Sequence, residues 1–263
     1  MEENSLLMDK EERICTITLN RPERRNALSL SLLTQFAQAL THLKEEDEVR
    51  CITIRGAGDK AFSSGLEISA IPANLTPETA ASLKEPMETG VDAIIDFPYP
   101  VIAMLNGYAY GGGLELALAC DIRIAADKVK MGIPAAKIGV IYQPTAIMRM
   151  ISIVGLANAK EIFLTGRYYD ASRAKEMGLI NQVVPGDQLA AFTHEMAQEI
   201  SENAPLSLRG MKMIFNKLST YPKIKPDDGQ KIAALRIKAF NSEDLKEGRC
   251  AISEKRKPVF KGR

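Results

Sequence analysis

A fully apolar run, Val101–Leu105, gives way within a few residues to three consecutive glycines, Gly111–Gly113, and then to an apolar helix start, Leu114–Cys120. A five-residue stretch with no polar position reads as a strand buried on both faces, the hallmark of a parallel sheet covered by helices. The glycines allow a tight turn and close approach of other atoms to the backbone. Other segments fit the same plan. Ile14–Leu19 is β-branched and strand-like, and Asn20-Arg21-Pro22 ends it. Leu32, Leu33, Phe36, Leu40 and Leu43 recur at helical spacing behind Ser29, a suitable N-cap. Cys51–Arg55 reads as a second strand, closed by Gly56-Ala57-Gly58. Pro77 at a first helical position opens a helix to about Ile95, and Ile122–Ala125 is a further strand.

Alternating strands and helices predict an α/β core over residues 1–188. From Leu189 on, the pattern is helical only, with candidate helices at 189–203, 206–218 and 227–239 and a basic tail at 254–263. This region, 189–263, is too thin to bury a core of its own, so it is expected to pack on the core or on a neighbouring subunit. At 263 residues, the chain holds one to two domains at about 150 residues each.

Composition narrows the function classes. Hydrophobic residues make up 46% and charged residues 25%, with a formal net charge of +1, which argues for a globular chain with no global field for nucleic acid or an anionic membrane. The acidic, charge-broken N-terminus is unlike a signal peptide, and Val101–Cys120 holds Asn106, glycines and Glu115, which suit a membrane span poorly. Cys15, Cys51, Cys120 and Cys250 are scattered and read as buried thiols of a reducing compartment. A cytoplasmic protein is expected. His42 and His194, the only two histidines, lie among polar neighbours and read as surface residues, which leaves little for a histidine triad or a histidine-rich metal site. No GxSxG or Walker motif occurs, and Ser172–Lys175 has SxxK spacing without its companion motifs.

Two segments carry chemistry. In Asn106–Ala117 a buried strand meets a glycine-rich helix start, whose free N–H groups and dipole can hold an anion without any cationic side chain. Glu115 stands there among Leu114, Leu116 and Leu118, where its pKa is expected to rise and it can move protons. The alternative is a helix-start carboxylate that only favours the dipole. In Lys60–Ile68, small residues expose backbone N–H groups on a loop, although an ordinary polar loop has the same look. One donor from each segment can converge on a developing oxyanion, each worth ~2.7–4 kcal/mol in the transition state.

These segments resemble the crotonase family, the enoyl-CoA hydratase/isomerase superfamily. The likeness covers nearly the whole chain. Leu19–Pro22 with Asn26–Leu28 is similar to the family's opening strand and acyl-CoA loop. Ala61–Leu66 is similar to its first oxyanion loop, and Asn106–Glu115 with Cys120-Asp121 to its second. Leu164–Gly166, Ala174, Met177–Ile180 and Glu254–Pro258 complete the match. The resemblance implies a spiral of ββα units with a C-terminal helical trimerisation region, assembled as a trimer or dimer of trimers. It implies an acyl-CoA substrate whose enolate is held by the backbone N–H groups of Leu66 and Gly112. Ala27, Leu28, Ala61 and Ile68, with Ser63, Ser64 and Gly65 of the same loop, stand where the family meets coenzyme A. Phe260 and Lys261 stand where a tail reaches a neighbour's coenzyme A, unless the basic tail is simply a solvated end. No metal and no separate cofactor are implied, because coenzyme A arrives as part of the thioester.

The sequence departs from the family's hydratases at one point. Glu115 matches the first of their two glutamates, but Ala135 stands where the second follows Pro134. Tyr142 matches a tyrosine of members like methylmalonyl-CoA decarboxylase, where loss of CO2 forms the enolate without a second glutamate. It also suits the wall of an acyl pocket. Glu67 replaces the family's usual aspartate and reads as a structural hydrogen-bond partner. Three functions are therefore carried forward: hydration or isomerisation with Glu115 as acid–base, decarboxylation in the same oxyanion hole, and non-catalytic binding of acyl-CoA or RNA.

Overall fold

The computed structural model describes residues 5–67, 76–218 and 226–261. A long sheet is ordered β1-β2-β3-β5-β7-β10, from Leu6–Glu11, Ile14–Leu19, Cys51–Gly56, Val101–Leu105, Ile122–Ala126 and Gln182–Val184. All its pairs are parallel except β1 with β2. A short sheet is ordered β4-β6-β8-β9, from Ala61–Ser63, Tyr108–Tyr110, Lys130–Gly132 and Tyr169–Asp170.

The helices show how the two sheets are wound together. After β3 and β4 comes α2 (Pro77–Asp96). After β5 and β6 comes α3 (Gly112–Ala119). After β7 and β8 come α4 (Ala135–Ile138) and α5 (Pro144–Thr165). Each turn gives one strand to each sheet and then a helix, and successive strands lie side by side in both. This is the ββα spiral the resemblance implies.

The strand and helix patterns read from the sequence are found. Val101–Leu105 is buried throughout. Helix α1 (Leu30–Glu46) starts where Ser29 Oγ accepts the Leu32 N–H at 3.2 Å, and it buries Leu32, Leu33, Phe36, Leu40 and Leu43. The strand β1 and the whole short sheet leave no pattern in the sequence, because β1 is exposed and runs three apolar then three charged residues without alternation, and the short strands span two or three residues each.

Helix α6 (Ala171–Glu176) leads to the helical region, α7 (Leu189–Glu202), α8 (Pro205–Leu218), α9 (Pro226–Phe240) and α10 (Glu243–Ser253). Helix α7 packs on β2, β3, β5 and β7, and its Leu189 and Ala197 join the main core. Helix α8 is fastened by Lys212, whose Nζ donates to the carbonyls of Ile94 (3.1 Å) and Tyr99 (2.9 Å) and pairs with Asp121 Oδ2 (2.7 Å). Helix α10 was not expected. Its buried residues, Leu245, Gly248 and Ala251, give little apolar signal.

Cys15, Cys51 and Cys120 are buried, and desolvation pushes their thiols up to about 11, 12 and 12. Cys250 departs from the expectation. It is exposed, because it lies off the face of α10 that carries Ala251 into the interior. His42 is at the surface, 3.0 Å from Glu46, and His194 is half-buried. Among the described residues no helix is long and apolar enough to cross a membrane.

Candidate active site

The site is built where β4 and β6 of the short sheet end. Ser63 is buried, and its Oγ accepts the Gly65 N–H at 3.1 Å. Gly65 has φ +97°, and a Cβ there would lie 2.7 Å from the Tyr110 carbonyl oxygen and 3.1 Å from the Gly112 nitrogen. Only glycine fits that turn. Leu66 then forms an isolated parallel bridge with Leu28. The Leu28 N–H donates to the Gly65 carbonyl at 2.8 Å, and the Glu67 N–H donates to the Leu28 carbonyl at 3.0 Å. A parallel bridge made this way turns the intervening Leu66 N–H to the opposite side.

That side faces the start of α3. Gly111 takes φ 53° and ψ −121° as the N-cap, and its N–H donates to the Gly132 carbonyl at 3.0 Å. Gly112 is the first helical residue, so its N–H has no acceptor within the helix and sits at the positive end of the dipole. A Cβ on Gly112 would lie 3.2 Å from the Leu66 nitrogen. The next glycine, Gly113, seats against Ser63, where a Cβ would come 2.7 Å from the serine Cβ. The two segments do converge, and they meet at Leu66 and Gly112.

Glu115 and Tyr142 border the same end of α3. Glu115 is half-buried in the first turn, and its N–H donates to the Gly111 carbonyl at 3.0 Å. The Tyr142 hydroxyl lies 3.4 Å from where a Gly111 Cβ would stand. The Tyr142 ring meets Phe163 of α5 edge-on, with centroids 5.3 Å apart. Burial, and then the negative charge of Glu115, push the Tyr142 phenol well above its ordinary range. It therefore stays a neutral hydrogen-bonding group. Ala135 is buried at the start of α4 and packs into the main core. It offers the site no proton.

The residues expected around coenzyme A are laced together. Asn26 Nδ2 donates to the carbonyls of Ala57 (3.0 Å) and Ala61 (2.7 Å), and the Ser64 N–H donates to the Arg25 carbonyl (3.0 Å). Arg21 is buried, donates to the Ala27 carbonyl at 2.7 Å, and pairs with Glu67 at 2.7 Å. Glu67 thus ties the two loops together, which is the structural part expected of it. Ala27, Leu28, Ala61, Ser63, Ser64 and Gly65 all lie in this lacing, with Leu28 and Ser63 fully buried. Ile68 lies outside the described residues. Phe260 and Lys261 lie on a tail pinned to α10 of the same chain. The Val259 N–H donates to Glu247 at 2.8 Å, and the Lys261 N–H donates to Asp244 at 2.6 Å.

The sequence points to Ile71–Met87 as part of the acyl-pocket lining; residues 71–75 lie outside the described residues, while Met87 reaches the site, as does Phe163, which the sequence does not single out. A Cβ on Gly112 would lie 3.6 Å from the Met87 sulfur. Neither residue belongs to a motif, and both look like ordinary apolar positions of amphipathic helices.

A family model described as enoyl-CoA hydratase/isomerase matches residues 9–263. The chain belongs to the enoyl-CoA hydratase/isomerase family. Its similarities reach across that family's chemistries. A carnitinyl-CoA dehydratase of Citrobacter koseri is 34% identical, over 95% of each chain. A crystal structure of methylmalonyl-CoA decarboxylase complexed with 2S-carboxypropyl-CoA superposes with a TM-score of 0.92 at 32% identity, covering 100% of both chains. A Bacillus anthracis enoyl-CoA hydratase superposes with a TM-score of 0.77 at 33% identity, covering 99% of this chain and 100% of the other. For this enoyl-CoA hydratase/isomerase family member, backbone shape distinguishes the two solved structures where sequence identity does not.

Proposed function

We propose that this protein acts on acyl-CoA thioesters and holds an enolate oxygen between the N–H groups of Leu66 and Gly112, and that the enolate forms by loss of CO2 from a short 2-carboxyacyl-CoA such as methylmalonyl-CoA. The observation that carries this reading is the Tyr142 hydroxyl, 3.4 Å from the Cβ position of Gly111 and unable to ionise in its ordinary range. A neutral phenol there donates a hydrogen bond to a substrate carboxylate and sets the C–CO2 bond for cleavage. The electron pair of that bond passes through C2 to the thioester oxygen, CO2 leaves, and the enolate collapses by taking a proton from water at C2, leaving hydroxide that solvent neutralises. Nothing in this sequence of steps needs a second carboxyl group, so Ala135 is no obstacle. The higher TM-score to the decarboxylase, at nearly the same identity, supports the same reading.

A second reading rests on Glu115. Half-buried in the first turn of α3, it can move a proton in hydration or isomerisation, and a dehydratase is among the relatives. One experiment separates the two. Purified protein is given methylmalonyl-CoA and crotonyl-CoA in parallel, and propionyl-CoA formation and loss of enoyl absorbance are followed. Decarboxylation by the parent, reduced about 10- to 100-fold in Tyr142→Phe, is expected from losing a hydrogen bond to a charged group. Glu115→Gln should harm any hydration far more than decarboxylation. Rapid hydration of crotonyl-CoA with methylmalonyl-CoA untouched would transfer the assignment to the second reading.

We also propose a homo-oligomer, a trimer or dimer of trimers, with the 189–263 region in the interface. Met211, Ile214, Phe215 and Leu218 form an exposed apolar stripe on α8, beside the face that carries Leu208 and Lys212 inward. A stripe of this kind calls for cover. A cytoplasmic location suits the three buried thiols, Cys15, Cys51 and Cys120.

A further inference from the structure

We infer that Met87 determines the acyl specificity of this site: its thioether limits the group carried on C2 of the bound thioester to about the size of a methyl. The inference rests on the proposed use of Leu66 and Gly112 as the oxygen donors. Ordinary bond lengths put C2 about 2.4 Å from a thioester oxygen held there. The arms of C2 must therefore lie against whatever flanks Gly111 and Gly112.

Those two glycines face opposite chemistries. The Cβ position of Gly111 is 3.4 Å from the Tyr142 hydroxyl. The Cβ position of Gly112 is 3.6 Å from the Met87 sulfur and 3.7 Å from the Leu66 Cβ. Among the described residues a carboxylate finds a hydroxyl donor on the tyrosine side, and on the thioether side only the Leu66 N–H, which the thioester oxygen already takes, so an anion there would be desolvated without a partner of its own. The alkyl arm is left facing Met87.

The wall behind Met87 cannot easily retreat. One turn on in α2, Gly90 seats against α1, where a Cβ would already lie 3.3 Å from Leu33 Cδ2. The far end of α2 is held by Lys212 Nζ on the Ile94 carbonyl and by Asn216 Nδ2 on the Ile95 carbonyl at 2.8 Å. The size limit thus falls on the Met87 side chain itself. Methionine is unbranched and deformable, so the limit is graded. An ethyl arm is disfavoured and a butyl arm strongly so.

The test uses the full chain, with Met87→Ala and the volume-conserving Met87→Leu. First, kcat/KM is measured for malonyl-, methylmalonyl- and ethylmalonyl-CoA. Met87→Ala should raise the ethylmalonyl/methylmalonyl ratio by about 10-fold or more, since one methylene in an apolar pocket is worth about 10- to 200-fold. Met87→Leu should hold the ratio near the parent's. Second, dissociation constants are measured by calorimetry for propionyl-, butyryl- and hexanoyl-CoA, which need no turnover. Met87→Ala should favour hexanoyl- over propionyl-CoA by a similar factor relative to the parent. Unmoved ratios in a folded Met87→Ala protein would overturn the inference, whatever the reaction. Shifted affinities with no 2-carboxyacyl-CoA consumed by the parent would uphold the size filter and remove the decarboxylase reading instead.

Discussion

In the long sheet, Ile17, Leu19, Ile52, Ile54, Ile102 and Leu105 are fully buried, and apolar side chains fill the space between strands and helices. Around the short sheet, where its strands meet their flanking turns and the end of β3, the tight contacts are between backbones. A Cβ on Gly107 would come 2.3 Å from the Ala61 nitrogen, one on Gly132 would come 2.4 Å from the Arg167 carbonyl, and one on Gly113 would come 2.6 Å from the Ser63 carbonyl. Asn106 adds hydrogen bonds from Nδ2 to the Gly56 and Gly58 carbonyls, at 2.8 and 2.7 Å. The first region is fastened by volume, where a lost methyl group has a graded cost. The second is fastened by the absence of volume, where an added methyl group has nowhere to go. The site grows from the second region because backbone donors can be brought together only where backbones nearly touch.

The largest expected effect tests the site side of this contrast. Gly112→Pro removes one oxygen donor, yet a proline is accepted at the first position of a helix. Turnover should fall by about 10²–10³-fold, as for other single oxyanion donors. The thermal midpoint should move far less than that loss suggests. A folded Gly112→Pro protein with parental turnover would disprove the role given to this amide. The framework side answers with Ile54→Val. Ile54 is fully buried in β3, so the loss of a methylene should lower stability by about 0.5–1.5 kcal/mol. Its turnover at a temperature well below melting should stay at the parental level. Equal losses of activity in both variants would mean that the two sheets are mechanically one unit.

The same contrast explains what could be read from the chain. Ile14–Leu19, Cys51–Arg55 and Val101–Leu105 announced themselves as strands because a buried apolar run is long enough to show a pattern. Ala61–Ser63 and Lys130–Gly132 span three residues each, and no period is visible at that length. The glycines marked the oxyanion loops, and the resemblance supplied Leu66 and Gly112 as partners. Met87 and Phe163 reach the site from α2 and α5 by tertiary packing alone. No local signal distinguishes them from any other apolar helix position.

The smallest expected effect is an absence of change, and it sharpens the contrast at Tyr142, which belongs to neither sheet. Burial disfavours the phenolate, and the nearby Glu115 charge disfavours it further, so both causes raise the pKa. The hydrogen-bonding form should then persist beyond the ordinary phenol value of about 10. The rate of decarboxylation should be level from about pH 8 to about pH 10, with no alkaline limb from this group. Tyr142→Phe should lower the rate by the same factor at every pH in that window. An alkaline limb in the parent that vanishes in Tyr142→Phe would show that the phenol ionises within the window. The hydroxyl would then be solvated and remote from Glu115, and the carboxylate-orienting role proposed for it would fail.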